Sequence, residues 1–469
     1  MTREHLTRAI SVVDVAMLGY LIALAIASVV LTILGWRAVD RYVRRRPLRD
    51  YGFVARSPLS LPVSILVPAH NEGPVIVPAL HALLASHYVT FEVVVVNDGS
   101  TDDTLASIAD AFGLVRTGRV PRSNVPSRAI KAVYTSSVDE RIVVVDKENG
   151  GKADALNAGL AYARYPLVCA LDADTMLDPA ALSRLVWELQ SEPETIATGG
   201  IVRIVNGSTV IGGRLIDVRT PRSFLGNVQI LEYLRAFLGS RLGWSHLGML
   251  LIISGAFGLF RRDVVVAVGG WDTESVGEDA ELIVRLHRYH LDRGIPYRIT
   301  FFPDPICWTE APSSWRVLVR QRDRWQRGLI QLLHAHRSML FRRRYGRIGS
   351  IALPYFAVFE ALGPIVEITG YAFVLLGLGF GIVSPTLAAI WFGVALSSGF
   401  VLSFAAILME ERAFRRYPKW RCLGHLVVAA IVENLGYRQV MLFVRARAWW
   451  TVRHDHGWGA MPRAGFGAS

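Results

Sequence analysis

The sequence predicts a doubly wound α/β domain that lies between apolar segments long enough to cross a membrane. Short β-branched runs alternate with helical patterns between about residues 54 and 346, and the clearest runs end in polar clusters. Stretches of about 20 or more largely apolar residues lie on both sides of that region, which is the length a membrane-spanning helix needs. We therefore expect the 469 residues to form more than one structural unit.

Composition excludes several broad classes of protein. Hydrophobic residues make up 52% of the chain and charged residues 19%, below the roughly 25% of an average soluble domain. With a mean hydropathy of +0.34, these values exclude a disordered chain and argue against a wholly soluble enzyme. Three widely spaced cysteines indicate neither a disulfide framework nor a zinc ribbon. The net charge of +12 largely flanks apolar segments, so it favours anionic lipid or an anionic substrate over nucleic acid.

The first apolar segment, residues 15–36, is uncharged and long enough to span a bilayer. Five arginines follow it within residues 37–46, and the positive-inside rule places that side in the cytoplasm. The alternative is a cleaved signal peptide, but the segment is too long for the apolar part of one. We therefore predict that residues 1–50 form a transmembrane anchor with a basic juxtamembrane segment.

Residues 51–346 are predicted to form the α/β domain. The strand candidates are VSILVP at 63–68, EVVVVND at 92–98, RIVVVDK at 141–147 and LVCALDAD at 167–174. Their apolar residues are continuous rather than alternating, which indicates strands buried on both faces and hence a parallel sheet. Helices are expected at 75–87 and from Asp178, a candidate N-cap before Pro179, and residues 116–128 are expected to be a surface loop.

Residues 347–469 are predicted to return to the membrane. Residues 386–409 are uncharged and can span it, and the longer stretch 351–383 carries two glutamates and two prolines. Residues 422–444 are apolar only in patches, which favours an interfacial or re-entrant segment, with a span as the alternative. The basic residues of 410–421 and of the tail are expected in the cytoplasm. Three spans with an external N-terminus satisfy these assignments.

Polar residues follow three of the predicted strands and suggest a metal–nucleotide site. Asp172 and Asp174 come just after a strand, and one or two carboxylates together with substrate phosphates commonly bind Mg²⁺. Asp98 closes another strand, and Lys152 follows the third after two glycines and could bind a phosphate. Each cluster alone could also be an ordinary turn. Together they would lie at the carboxyl edge of the sheet, where such folds bind ligands.

Two clusters further along the chain leave alternatives open. Glu278 and Asp279 precede an amphipathic stretch, where one could be a general base or both could simply favour the helix dipole. Gln321, Arg324 and Trp325 lie within the basic amphipathic stretch 314–340. They could contact a diphosphate and a sugar ring, or belong to a helix on the membrane surface.

Six motifs occur in a fixed order: Val-Pro-Ala-His-Asn-Glu at 67–72, Asn-Asp-Gly-Ser at 97–100, Gly-Lys-Ala-Asp-Ala-Leu-Asn at 151–157, Asp-Ala-Asp at 172–174, Gly-Glu-Asp at 277–279 and Gln-Arg-Asp-Arg-Trp at 321–325. In this order they resemble the membrane-integrated family 2 glycosyltransferases, a group that includes cellulose, hyaluronan, chitin-oligosaccharide and poly-N-acetylglucosamine synthases. The resemblance implies a Rossmann-like GT-A domain inserted between N- and C-terminal transmembrane helices.

The resemblance also implies roles for individual residues. Asp279 matches the catalytic base, and Asp174 matches the ligand of a Mg²⁺ or Mn²⁺ ion. The residues expected to bind the nucleotide sugar are Glu72, Asp98, Lys152 and Asp172. The residues expected near the acceptor or the diphosphate are Gly255, Gln321, Arg324 and Trp325. Gly277 stands where many members have threonine, which leaves the donor sugar open.

The predicted function is that of an inverting, processive β-glycosyltransferase in the inner or plasma membrane. It would polymerise a glucose- or N-acetylglucosamine-type sugar from a UDP-sugar donor at the cytoplasmic face. Its expected partners are a growing glycan or lipid acceptor, membrane lipid and accessory export subunits, but no nucleic acid. One alternative is a non-processive enzyme that adds a single sugar to a lipid acceptor. Another is an export component with a degenerate transferase domain, although every acidic position expected for catalysis is present.

Overall fold

The computed structural model describes residues 3–211, 214–417 and 419–452. They form two compact units. The first, here called the α/β unit, contains Asp40–Pro221 and Trp244–Ala311. The second, here called the helical unit, contains the described residues up to 39, Arg222–Gly243 and those from 312 to 452. This grouping differs from a linear division at residues 50/51 and 346/347, and the roles assigned to those three ranges remain predictions.

The strands of the described residues are β1 (Val63–Ala69), β2 (Phe91–Asp98), β3 (Leu114–Arg116), β4 (Ile130–Ser136), β5 (Ile142–Lys147), β6 (Leu167–Leu171), β7 (Met176–Leu177), β8 (Thr195–Ile204), β9 (Thr209–Ile211), β10 (Arg214–Asp217), β11 (Phe257–Arg261) and β12 (Arg298–Thr309). The helices are α1 (Arg3–Arg45), α2 (Tyr51–Arg56), α3 (Gly73–Leu84), α4 (Thr104–Phe112), α5 (Lys152–Tyr162), α6 (Ala181–Ser191), α7 (Phe224–Leu234), α8 (Leu242–His246), α9 (Arg262–Ala267), α10 (Glu278–Arg293), α11 (Trp315–Ala335), α12 (Leu353–Tyr355), α13 (Gly363–Gly379), α14 (Pro385–Ala413), α15 (Trp420–Val432) and α16 (Tyr437–Thr451). Short π-helical segments at Arg235–Arg241, Ile348–Ala352 and Phe356–Ala361 adjoin several of these helices.

One large sheet of the α/β unit has the described strand order β3-β4-β5-β2-β1-β6-β11-β8-β12-β7. Its centre, β5-β2-β1-β6, is parallel, as the continuous apolar runs predict, and all eight residues of β2 are buried. Outside these four predicted strands the sheet is mixed, because β11 runs antiparallel between β6 and β8. β3, β4 and β7 also pair antiparallel. These strands are short or partly polar, so they lack the long apolar runs that marked the central four.

Helix α5 packs directly on the parallel strands and aims its N-terminus at their carboxyl edge. Its Gly159 lies so close to the sheet that an added Cβ would be 3.2 Å from Val96 and 3.4 Å from Leu66. Because residues 153–162 are buried, the helix is fixed along its length, and Lys152 at its first position is placed at the sheet edge.

Two helix boundaries differ from the sequence predictions. Helix α3 begins at Gly73 and ends at Leu84, earlier at both ends than the predicted 75–87. Helix α6 begins at Ala181, so the expectation that Asp178 caps the helix is wrong. The Asp178 carboxylate instead accepts a hydrogen bond from the Ala180 amide at 3.0 Å and pairs with Arg184 at 2.7 Å. The loop predicted at 116–128 is confirmed except for Arg116, which ends β3, since residues 117–129 form neither helix nor strand.

The helical unit contains the apolar segments. By length and composition, the described residues include two helices able to cross a membrane, Val15–Leu48 and Ala388–Ala413. The number rises to four if each of two bent helix pairs is one span. One pair, Ile348–Ala361 with Gly363–Gly379, is bent by 46° and covers the predicted span 351–383 as far as Gly379. The other, Trp420–Val432 with Tyr437–Thr451, is bent by 63°, and both a broken span and a re-entrant loop remain open there.

Candidate active site

The carboxyl edge of the parallel strands gathers the residues that the sequence predicts for donor binding. Asp98 ends β2, and Asp172 comes directly after β6. Lys152 begins α5, which follows β5 along the chain. Since parallel strands place their carboxyl ends on one side of a sheet, three separate loops meet here.

Lys152 is the centre of this group. Its Nζ lies 2.6 Å from Asp172 Oδ1 and 3.4 Å from Glu278 Oε1, and it donates a hydrogen bond to the Gly255 carbonyl at 2.7 Å. Burial by itself lowers the pKa of Lys152, but the two carboxylates outweigh it and raise that pKa above its usual range. Lys152 is therefore a fixed positive charge at physiological pH.

Glu278 and Asp279 occupy the first turn of α10, as both the helix-dipole and the catalytic interpretations require. Glu278 is buried, and burial raises its pKa to about 7 although Lys152 opposes the shift. Asp279 is half-buried. An added Cβ on Gly255 would lie 3.3 Å from Asp279 Oδ2 and 3.5 Å from Lys152 Nζ, so the glycine leaves room for both groups.

Asp98 is buried and supports the loop that leads into α5. Its carboxylate accepts hydrogen bonds from the amides of Gly150 at 3.0 Å and Gly151 at 2.8 Å, and it pairs with Lys147 Nζ at 2.5 Å. Lys147 is fully buried and also pairs with Asp154 at 2.6 Å. Lys147 and Asp154 were not predicted as site residues, although a lysine that ends an apolar strand and an aspartate in the following helix were visible signals. The nucleotide contact expected of Asp98 stays a prediction.

Glu72 lies at the carboxyl end of β1, just before α3. Its backbone amide donates to Thr104 Oγ1 at 2.8 Å, which ties this loop to the start of α4. Nearby, His70 Nδ1 lies 2.8 Å from the Asp98 carbonyl, so the ends of β1 and β2 are joined. The position agrees with a donor-binding edge, and the role of Glu72 stays a prediction.

Asp172 and Asp174 are the carboxylates that the sequence predicts near a divalent cation, with Asp174 as its ligand. The carboxylate of Asp174 is nearly buried, and that of Asp172 is 24% exposed. No group of three or more His, Cys, Asp or Glu side chains in the described residues is arranged to hold a metal ion. Two hard oxygen donors nevertheless fit Mg²⁺ or Mn²⁺, because such an ion commonly takes its remaining ligands from water and substrate phosphates.

The other predicted site residues lie on α11, in the helical unit. Gln321 is buried, Arg324 is half-buried, and Trp325 is 47% exposed. Arg322, which the sequence analysis did not assign, has its guanidinium 4.2 Å from the centre of the Trp325 ring. The structure thus groups Gln321 and Trp325 around Arg322, while it groups Lys152, Asp172, Gly255, Glu278 and Asp279 in the α/β unit.

Comparison with known proteins finds two overlapping family matches. Residues 64–266 match the model described as glycosyl transferase family 2, and residues 167–450 match that of glycosyl transferase family group 2. A probable glycosyltransferase, YdaM of Bacillus subtilis, is 30% identical over 291 residues, which is 61% of this chain and 59% of that protein. Poly-beta-1,6-N-acetyl-D-glucosamine synthase of Staphylococcus aureus is 30% identical over 272 residues, 58% of this chain and 55% of that protein. The chain therefore spans just over half the length of these relatives.

A solved structure shares the fold. The mannosyltransferase PcManGT from Pyrobaculum calidifontis, solved with GDP-Man and Mn²⁺, has a TM-score of 0.50 and 23% sequence identity. The likeness covers 88% of this chain and 99% of that one. It confirms the GT-A fold that the sequence predicts for the α/β domain.

Proposed function

The chain belongs to glycosyl transferase family group 2, and we propose that it transfers a sugar from a UDP-sugar donor to a growing glycan. The single observation that carries the proposal is the cluster at Lys152. It places a fixed positive charge beside Asp172, beside the Gly255 carbonyl and beside the first turn of α10, which holds Asp279. A phosphate-binding cation next to a half-buried carboxylate suits group transfer from a diphosphate.

In the proposed reaction Asp279 is the general base. Its carboxylate takes the proton of the acceptor hydroxyl while that oxygen attacks the anomeric carbon of the donor. The new C–O bond forms as the bond to the diphosphate oxygen breaks, so the configuration inverts and the nucleoside diphosphate leaves with the bonding electrons. Half-burial limits the competition of water for the carboxylate without closing it to the acceptor.

The departing diphosphate needs positive charge. Lys152 supplies one such charge, fixed by Asp172 and Glu278 before the donor binds, so little reorganisation is needed during the reaction. A divalent cation held by Asp174 and Asp172 would neutralise further charge on the leaving group.

Processive transfer at the cytoplasmic face of a membrane is part of this proposal. Trp325 offers an exposed indole on which an acceptor sugar can stack, and apolar helices of membrane-spanning length accompany α11 in the helical unit. The poly-N-acetylglucosamine synthase of Staphylococcus aureus supports a glucose- or N-acetylglucosamine-type donor. A non-processive enzyme with a lipid acceptor is the alternative, and a product one sugar longer than the acceptor would identify it.

The test uses the full chain in lipid nanodiscs. It is incubated with UDP-glucose, UDP-N-acetylglucosamine or GDP-mannose and with Mg²⁺, Mn²⁺ or EDTA, and nucleotide release and product length are measured. Asp279→Asn should retain UDP affinity and lose turnover by about 10²–10⁴-fold. The matched control is Asp292→Asn, which neutralises a carboxylate at the other end of α10 and should leave turnover near that of the parent. Near-parent turnover in Asp279→Asn would show that the assignment of the base is wrong.

A further inference from the structure

Arg322 is nearly buried within α11 and contacts two residues of the predicted acceptor site. Its guanidinium lies 4.2 Å from the centre of the Trp325 ring, and its Nη1 donates to Gln321 Oε1 at 3.4 Å. Only 8% of Arg322 is exposed. A charge with so little contact with water requires a partner, because an uncompensated buried charge is strongly destabilising.

Glu232 of α7 is that partner. Its Oε2 accepts a hydrogen bond from Arg322 Nη2 at 2.5 Å, and its Oε1 accepts one from the Tyr437 hydroxyl at 3.0 Å. Tyr437 is the first residue of α16, and its ring lies 5.6 Å from that of Trp315, the first residue of α11. One carboxylate therefore joins three helices at the position of Arg322.

The geometry of this arrangement depends on an arginine. A guanidinium is a planar fork that can bond a carboxylate through its edge while its face lies over an aromatic ring. Glu232 fixes the edge, so the face has a defined position over Trp325. Trp325 is 47% exposed, and the stacked guanidinium limits the orientations that its ring can adopt.

We propose that Arg322 and Glu232 are positioning residues that hold Gln321 and Trp325 in the orientation in which they bind the acceptor glycan. Neither contacts the reacting atoms: Arg322 acts through the two motif residues, and Glu232 acts through Arg322. The inference rests on the proposed function, because it assumes that Trp325 is a platform for an acceptor sugar.

A purely structural role for the ion pair makes a different prediction. Arg322→Lys keeps the charge beside Glu232, but an ammonium cannot pair with the carboxylate and cover the indole face at once. If the ion pair only stabilises the fold, Arg322→Lys should keep both the stability and the acceptor binding of the parent protein. If the pair positions Trp325, Arg322→Lys should keep the stability of the parent and lose acceptor binding.

The first experiment reports on the Trp325 ring and does not require turnover. The full chain, which has 12 tryptophans, is labelled with 5-fluorotryptophan in nanodiscs, and its ¹⁹F spectrum is assigned at this position with Trp325→Phe. Glu232→Gln and Arg322→Lys should shift or broaden the Trp325 resonance. An unchanged resonance in both variants would overturn the inference.

Asp323→Asn is the matched control. Asp323 lies on the same helix, pairs with Arg327 at 3.0 Å and accepts a hydrogen bond from Thr451. Its loss breaks an ion pair of similar burial without removing the contact between Arg322 and Trp325. The Trp325 resonance should keep its position in this variant, and a shift as large as that in Glu232→Gln would contradict a specific role for Glu232.

The second experiment measures kinetics with acceptor oligosaccharides of increasing length. Glu232→Gln and Arg322→Lys should raise the acceptor KM by about 10- to 100-fold, because a small misplacement of a binding group has effects of this size, and the donor KM should not change. An unchanged acceptor KM would overturn the inference. If the parent turned over no donor, the proposed function and the acceptor-binding part of the inference would both fail, while the ¹⁹F spectra would still decide whether the pair holds the ring.

Discussion

A methyl group at position 255 would reach the candidate base and the candidate phosphate-binding lysine at once. An added Cβ would lie 3.3 Å from Asp279 Oδ2, which is closer than most Cβ contacts, so the carboxylate must move by a few tenths of an ångström. Gly255→Ala should therefore lower turnover by about 10- to 100-fold with little change in thermal stability. Gly118→Ala is the control. Gly118 lies in the same unit, and no atom lies within 4 Å of a Cβ added there. Parent-like turnover in Gly255→Ala would show that Asp279 tolerates displacement.

The two lysines at the sheet edge should respond differently to substitution. Lys147 is fully buried between Asp98 and Asp154, so Lys147→Met leaves two buried carboxylates without their cation and should cost about 3–5 kcal/mol of stability. Lys152→Met removes the charge proposed to bind the diphosphate and should chiefly raise the Kd for UDP. Chemical denaturation and UDP titration of both variants check this contrast. A Lys152→Met protein that binds UDP as tightly as the parent would contradict the diphosphate role.

Only part of this site could be predicted from the sequence. Asp98 ends a recognisable strand and Lys152 and Asp172 come after two others, so their placement at one edge follows from parallel pairing alone. The contacts of Gly255 with Lys152 and Asp279 could not be predicted, because they depend on how the chain packs more than 100 residues after α5 begins. The position of Lys147 at the end of an apolar strand is visible in the sequence, but spacing does not show which lysine is buried and which is available to a ligand.

The break between the π-helical segment Phe356–Ala361 and α13 shows how side chains stabilise an interrupted helix. Pro364 has no amide hydrogen to donate to the Glu360 carbonyl, and side chains take its place. Gln326 Nε2 donates to the Glu360 and Ala361 carbonyls at 3.0 and 3.1 Å, and Arg445 Nη2 donates to the former at 2.8 Å. The sequence predicted an apolar stretch with prolines here. It could not show that Gln326, 35 residues before Ala361, donates these hydrogen bonds, because nothing near the break in the sequence indicates that contact.

Gln326→Leu tests this arrangement. It removes one donor from each of two carbonyls that keep another, Arg445 Nη2 at Glu360 and Trp449 Nε1 at Ala361, so it should cost about 1 kcal/mol of stability, measured by thermal unfolding in nanodiscs. The same substitution in a Pro364→Ala background should cost less, because the alanine amide can bond the Glu360 carbonyl within the helix. Equal costs in the two backgrounds would show that Gln326 does not compensate for the proline.

Within α10, His287 links the helix to two other segments of the α/β unit. Its Nε2 lies 2.8 Å from the Leu250 carbonyl and its Nδ1 lies 2.7 Å from the Tyr297 hydroxyl, and these contacts fit a neutral ring that donates from Nε2 and accepts at Nδ1. Burial, with a smaller contribution from the nearby His290, lowers the pKa of His287 from 6.5 to about 4.

The pH dependence of stability follows from this shift. Between pH 6.5 and about 4 the unfolded chain binds more protons than the folded chain at this residue, so stability falls as the pH decreases through that range. The contribution approaches about 1.4 kcal/mol per pH unit. His287→Gln should remove it, which thermal midpoints of parent and variant from about pH 5 to pH 8 would show. Parallel curves for the two proteins would contradict a neutral buried histidine.

At the scale of the whole chain, the predicted site residues divide between the two units. The residues assigned to the donor and to proton transfer lie in the α/β unit, and so does Gly255. Gln321, Arg324 and Trp325 lie on α11 of the helical unit. The sequence could assign residues to a soluble or a membrane-associated segment by hydropathy. It could not show that 222–243 and 312–346 group with the apolar helices, because these stretches are polar enough to resemble the soluble domain.

Membrane topology provides the last prediction, at the connection between α13 and α14. If the bent pair that ends at Gly379 and the helix Ala388–Ala413 both cross the membrane, Ser384 between them faces the outside. The basic residues after α14 favour this orientation, because the positive-inside rule keeps them in the cytoplasm.

A single introduced cysteine can test this orientation, because the three native cysteines are all buried. In intact cells a membrane-impermeant maleimide should label Ser384→Cys. The control Ser191→Cys, at an exposed position at the end of α6, should be labelled only after the membrane is opened, since the α/β unit is proposed to face the cytoplasm. If Ser384→Cys also required an opened membrane, the pair bent by 46° would be a re-entrant loop, and the orientation proposed for α14 would be wrong.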